Sequence, residues 1–207
     1  MQKFPNSIFE LVNDDFHLLV VKKGGKLNPN EILVSSELDL FLKLKTAKRQ
    51  QEFLLTRSLR NFVLGNIPIG YKDSGKPFLL NDERFISISH SKDFLGVIIS
   101  KFNCSLDIEE ISYKVEKVKF KFLNENEGIL IPNDSKNLTR AWTIKEVLYK
   151  LSDFPIKSYT NELLILSWEE DSVKGIIKTE HKSFEVSIHS ILIDELIISY
   201  TFDNSKS

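Results

Sequence analysis

One cysteine and four histidines are all that 207 residues offer as soft metal ligands. Cys104 has no intrachain disulfide partner, and the histidines are too scattered to complete a Cys/His zinc cluster. Long apolar runs are also missing. Stretches such as Phe16 to Val21 and Leu163 to Leu166 fall far short of the ~20 residues that a membrane helix needs. Near the N-terminus, Asn6, Glu10, Asn13, Asp14 and Asp15 interrupt the apolar residues, which does not fit a secretory signal. The expectation is a reduced, cytoplasmic protein with no membrane attachment. There is no excess of either charge: 28 Lys+Arg face 29 Asp+Glu, a net of −1, whereas a dedicated nucleic-acid binder is usually strongly basic. A content of 42% hydrophobic and 28% charged residues excludes a disordered or collagen-like chain. The length exceeds a typical domain of ~150 residues and predicts one large domain or two small halves.

The charges that are present are segregated. Residues 1 to 100 carry 14 basic and 11 acidic side chains, and residues 101 to 207 carry 14 and 18. One half could give basic contacts to an anion while the other gives carboxylates to a divalent cation.

Hydrophobic periodicity predicts a strand over Phe16 to Val21. Asn28-Pro29-Asn30-Glu31 reads as a helix start, with Asn28 as N-cap and Pro29 at the first helical position. Two helices follow, ending near Leu64-Gly65. On the second, Leu55, Leu59, Phe62 and Val63 share one stripe and Arg49, Arg57 and Arg60 another. Strands are predicted over Arg84 to His90, Phe94 to Lys101 and Cys104 to Glu109. Asn124 to Glu127 spells a capping box, and a further helix runs from Asp134 to Leu151. Strands close the chain over Leu163 to Trp168, Val173 to Lys178, Phe184 to Ile193 and Leu196 to Phe202, before a polar tail from Asp203 to Ser207. This order is α+β with segregated elements, and it roughly recurs on either side of Asn103.

Gly70 to Lys76 imitates the first seven positions of a phosphate-binding loop. Pro77 stands where that loop needs a hydroxyl and a backbone N–H, and β-prone residues follow instead of a helix, so this reading is rejected.

Four constellations remain. Asp107-Ile108-Glu109 ends a strand, where the two-residue period puts both carboxylates on one face. Hard oxygen donors so close suit Mg²⁺; the alternative is a solvated acidic strand end. Trp142, Glu146 and Lys150 recur along one helix face. Glu146 and Lys150 have the spacing of a surface ion pair, and Trp142 would be core. Ser89 and His90 end a strand where a ring nitrogen and a hydroxyl could meet phosphate, or where His90 is a hydrogen-bonded structural residue. Lys43 to Arg60 holds six basic residues and one acid, Glu52. It offers an arginine face for phosphate, a solvated face, or a nucleic-acid-binding helix.

Taken in order, Gly75-Lys76-Pro77, Ile88-Ser89-His90-Ser91, Leu106-Asp107-Ile108-Glu109 and Trp142-Thr143-Ile144-Lys145-Glu146 with Lys150 resemble the motif series of the 4′-phosphopantetheinyl transferases. The likeness is to the larger, monomeric, two-halved class, the surfactin-synthetase-activating type, and runs from about Lys48 to Lys150. Phe122 to Glu127 and the basic helix from Lys48 through Arg57 are similar to further family segments. Two departures stand out: Ser105 where the family usually has Gly, and Leu151-Ser152-Asp153 in place of glycines after Lys150.

The resemblance implies a fold of two similar α+β halves, 1–102 and 103–207, forming a pseudo-dimer with the active site in the cleft between them. It implies an enzyme that moves the phosphopantetheine arm of coenzyme A onto a serine of an apo carrier protein and releases adenosine 3′,5′-bisphosphate. Asp107, Glu109 and Glu146 would bind Mg²⁺. Lys150 and His90 would contact coenzyme A phosphates, Lys76 would line the nucleotide pocket, and Ser89 would support the phosphate site. Arg49, or alternatively Arg57, would take the 3′-phosphate. The serine proton would go to Glu146, or to Glu109 through water. The rival expectations are a non-catalytic coenzyme A binder and a nucleic-acid module built on the Lys43 to Arg60 helix.

Overall fold

The computed structural model describes residues 3–180 and 182–202. The polar tail expected over 203–207 lies outside the described residues. The chain is α+β and divides into two compact units, Met1–Asn103 and Cys104–Ser207. Among the described residues, no helix is long and apolar enough to cross a membrane.

The first unit opens with β1 (Ser7–Val12) and β2 (Phe16–Lys22), followed by α1 (Pro29–Ile32), α2 (Ser35–Leu42) and α3 (Ala47–Leu64). Two short strands, β3 (Ile69–Tyr71) and β4 (Pro77–Leu79), precede β5 (Phe85–His90) and β6 (Phe94–Ser100). The main sheet is antiparallel in the order β1-β2-β6-β5. Asn28 caps α1 by accepting from the Asn30 amide, with Pro29 inside the first turn. Leu55 and Leu59 of α3 pack with Leu19, Val21, Leu95, Val97 and Ile99 of the sheet, so the apolar stripe faces the core. The phosphate-loop imitation is a hairpin turn. Lys72 N–H donates to the Lys76 carbonyl at 3.0 Å, and Gly75 takes φ +84°, a conformation that favours glycine.

The other stripe of α3 departs from expectation. Arg57 and Arg60 are 1% and 0% exposed and both pair with Glu37 of α2, itself 1% exposed. Arg57 Nε lies 3.3 Å and Arg60 Nη2 2.9 Å from the Glu37 carboxylate, which also accepts from the Ile69 amide at 3.1 Å. The Arg57 guanidinium lies 3.5 Å over the Phe53 ring. Arg57 and Arg60 are therefore turned inward and are not available to a phosphate, whereas Lys48 and Arg49 of α3 are exposed. β1 was not expected either. It is a half-buried edge strand whose central Glu10 pairs with His17 at 2.8 Å, and its alternation is weak.

The second unit starts with β7 (Cys104–Glu110), then two 3₁₀ turns over Tyr113–Lys117 and Lys119–Lys121. After these come α4 (Glu125–Leu130), α5 (Ser135–Leu151) and α6 (Tyr159–Glu162). Four strands follow: β8 (Leu163–Ile165), β9 (Ser172–Lys178), β10 (Ser183–Ile193) and β11 (Leu196–Phe202). The sheet order is β7-β11-β10-β9-β8, antiparallel throughout. The Asn124–Glu127 capping box forms as read, and Asp134 caps α5 by accepting from the Asn137 amide. Leu138, Ala141, Ile144, Val147, Leu148 and Leu151 of α5 pack on Leu163, Ile165, Val173, Ile177 and Ile188. At Gly175 a Cβ would lie 3.0 Å from Ile188 Cδ1 and 3.1 Å from Leu148 Cδ1, so β9 passes close beneath the helix where a larger residue would press on both side chains. Thr143 Oγ1 meets Ser199 Oγ at 2.7 Å, and Ser199 Oγ meets Ser190 Oγ at 3.0 Å, which fixes the helix over β11 and β10 through buried hydroxyls. Ser105 is fully buried in β7 with no partner for its hydroxyl among the described residues, and Leu151 packs in the core at the last turn of α5.

Candidate active site

β7 is an edge strand, and its pleat puts Leu106 and Ile108 on one face and Asp107 and Glu109 on the other. Asp107 lies opposite Ser199 in register, on the side where Ser199 meets Thr143 of α5. Trp142 of α5 donates to the Glu109 carboxylate, and Lys150 Nζ donates to Asp107 Oδ1 at 2.7 Å and to the Leu106 carbonyl at 3.0 Å. Because Trp142 meets Glu109 and Lys150 meets Asp107, the helix runs against the strand. The expected surface pairing of Glu146 with Lys150 gives way to a contact 43 residues away in sequence. Glu146 Oε1 instead accepts from the Tyr159 hydroxyl at 2.9 Å. Trp142 is half-buried, edge-on to Phe122 and stacked on Tyr159.

The three carboxylates influence one another. Burial and the neighbouring Asp107 charge push Glu109 up to about 7. The same two causes, in the same order, raise Glu146. Asp107 itself is 5% exposed. Negative charge is thus gathered in a partly desolvated place, against the ammonium of Lys150. Three hard oxygen donors under mutual repulsion fit the chemistry of a Mg²⁺ site, which takes carboxylates together with water and phosphate oxygens. Among the described residues, no three Asp, Glu, His or Cys side chains close into a ready-made cage. Lys150, Trp142 and Tyr159 each hold a different carboxylate.

The sign of the resulting pH dependence follows from the Glu109 shift. Between about 4.5 and about 7 the folded chain holds a proton on Glu109 that the unfolded chain has released, so this group's contribution to stability declines as pH rises across that window. Urea midpoints measured without divalent metal at pH 5 and pH 8 should differ less in Glu109→Gln than in the wild type. An unchanged difference would contradict the shift.

The first unit gathers a second set. Lys23 Nζ lies 2.5 Å from Glu52 Oε1 and donates to the Ser91 carbonyl at 2.7 Å, while His90 Nδ1 lies 3.9 Å from the same Glu52 oxygen. Burial alone would raise Glu52. The bond from Lys23 and the charges of His90, Lys23 and Lys48 outweigh it and hold the carboxyl below its ordinary range. His90 is exposed at the end of β5, Ser89 is buried beside it, and Arg49 is exposed three residues before Glu52 on α3. Lys76 is half-buried in the β3–β4 turn. Lys23 and Glu52 carried no motif; only the run of basic residues around Glu52 hinted at them.

Compared with protein-family models and with curated proteins, the chain matches none.

A cavity of about 270 Å³ opens beside Glu109, lined in part by Ser112, Val115, Val118, Thr139 and Trp142. The 3₁₀ segment at its rim exposes Tyr113 (81%) and Phe120 (69%) among Lys114, Lys117 and Lys121. Lys145, between Trp142 and Glu146 in the motif, is not at the surface of this site. It is 0% exposed, donates to Glu127 Oε1 at 2.6 Å and to the Tyr159 carbonyl at 3.2 Å, and also reaches the Leu163 carbonyl. Its role is to tie α5 to α4 and α6.

Proposed function

We propose that the protein is a Mg²⁺-dependent 4′-phosphopantetheinyl transferase. The carrier serine hydroxyl attacks the β-phosphorus of coenzyme A, and the bond from that phosphorus to the bridging oxygen breaks. Phosphopantetheine passes to the serine, adenosine 3′,5′-bisphosphate leaves, and the hydroxyl proton goes to a carboxylate of the site. The observation that carries this reading is the meeting of Asp107 and Glu109 of β7 with Glu146 and Lys150 of α5. Asp107, Glu109 and Glu146 would hold Mg²⁺, which when bound supplies charge neutralisation at the pyrophosphate.

The chain's own groups do the rest. Lys150 offsets phosphate charge beside Asp107. The serine proton would go to Glu146, or to Glu109 through water. In the first unit Arg49 would take the 3′-phosphate, His90 and Ser89 a phosphate, and Lys76 the nucleotide. The cluster of Lys23, Lys48 and His90 around Glu52 supports an anion there. The reading makes the two units similar α+β halves. It draws support from their topology, since the last strand of each, β6 or β11, pairs antiparallel with an earlier one, β2 or β7, and each has one long helix packed in its core. The lysine-rich rim with Tyr113 and Phe120 suits an acidic carrier protein.

Incubating the purified protein with Mg²⁺, coenzyme A and a panel of apo carrier proteins should add one phosphopantetheine to the intact mass of at least one carrier. No addition on any carrier, beside tight coenzyme A binding by calorimetry, would replace this reading with a non-catalytic coenzyme A binder.

A further inference from the structure

Tyr159 belongs to α6, beyond the helix that carries the motif, yet it touches three side chains of that helix, Trp142, Glu146 and Tyr149. Its ring stacks on Trp142 with centroids 5.9 Å apart and planes at 14°, and on Tyr149 at 5.5 Å and 25°. Between these two contacts its hydroxyl donates to Glu146 Oε1 at 2.9 Å. Trp142, Glu146 and Tyr149 lie four and three residues apart, so a single aromatic side chain lies along one stripe of α5. The backbone behind it is also fixed. Lys145 Nζ donates to the Tyr159 carbonyl at 3.2 Å, and Asn124 Nδ2 to the Thr160 carbonyl at 3.2 Å. A phenol held at its ring, its carbonyl and its neighbour's carbonyl has little freedom left, and its O–H aims at one oxygen of one carboxylate.

We infer that Tyr159 is a positioning residue for Glu146: it holds Oε1 and so orients Oε2 as the oxygen available to a divalent cation. This rests on the metal role given to Glu146 above. Outer hydrogen bonds of this kind orient carboxylate ligands, and removing them typically weakens metal binding by ~10–100-fold. Trp142 stands to Glu109 as Tyr159 stands to Glu146, so the Trp142–Tyr159 stack ties the two carboxylate holders together.

The test uses Tyr159→Phe, which deletes the hydroxyl and keeps the ring between Trp142 and Tyr149. Mn²⁺ is titrated calorimetrically into the full-length protein, with and without saturating coenzyme A. Mn²⁺ affinity should fall by about tenfold in Tyr159→Phe, with thermal midpoint close to wild type, and should not change in Tyr149→Phe. In a Glu146→Gln background, adding Tyr159→Phe should cost nothing further, because the two changes remove one interaction. Wild-type Mn²⁺ affinity in Tyr159→Phe, or a fully additive loss in the double variant, would overturn the inference. The metal titration needs no carrier. A protein that shows the expected Mn²⁺ pattern but modifies no carrier would keep Tyr159 in this role and sink the transferase reading alone.

Discussion

Asp107→Ala and Glu146→Ala should each lower phosphopantetheine transfer by about 10³-fold or more while leaving the protein folded. The magnitude follows from what the carboxylates would do. A bound cation that neutralises a reacting pyrophosphate contributes several kcal/mol to the barrier, and loss of one pre-organised electrostatic group commonly costs ~10²–10³-fold. Asp107 has the larger reach. It sits between Glu109 and Glu146 electrostatically, since its charge raises both, and it is the group that Lys150 holds. Removing it would therefore disturb the donor set and the lysine together. Intact-mass transfer kinetics with an active carrier measure the effect, and near-UV circular dichroism checks the fold. Full activity in both variants would contradict the assignment of these residues to metal and pyrophosphate.

Glu37→Gln should be the most destabilising single polar change in the first unit, by about 3–5 kcal/mol. The carboxylate accepts from Arg57, Arg60 and the Ile69 amide, and all three charged side chains are 0–1% exposed. Burial already pulls the Arg60 guanidinium below its ordinary pKa, and the Glu37 bonds work against that pull. An amide in that place leaves two cations in the interior with no counter-charge. The thermal midpoint should drop on the order of 10 °C, whereas Arg49→Ala, on the exposed side of the same helix, should change stability by no more than ~0.5 kcal/mol. A loss under about 1 kcal/mol in Glu37→Gln would mean that water reaches the pair.

The elements that could be read from sequence were those whose signal is local. Asn28, Asn124 and Asp134 are helix caps because a short side chain reaches an amide two or three residues on. The strands of Phe85–His90, Phe94–Ser100 and Leu196–Phe202 are dense in Ile, Val, Leu or Phe, which fit a pleated surface. β1 escaped because an edge strand with Glu10 at its centre alternates weakly, and the 3₁₀ turns around Val115 have no long period to detect. In the candidate site, the pairing of Asp107 and Glu109 on one face follows from the strand pleat alone. Lys23 and Glu52 are separated by 29 residues and Tyr159 and Glu146 by 13, across different elements, so no spacing could reveal them.

The sequence by itself determined which way each side chain points within its own helix or strand, because backbone geometry sets that over a few residues. It placed Asp107 beside Glu109, Glu146 one turn before Lys150, and Arg57 within reach of Arg60's stripe. Only the tertiary structure decided which partner each charge takes. Lys150 reaches Asp107 across 43 positions, Arg57 and Arg60 turn inward to Glu37, and Lys145 is committed to Glu127. The reason is desolvation: a charge removed from water must find its partner wherever packing brings one within hydrogen-bond distance, and distance along the chain has no part in that choice.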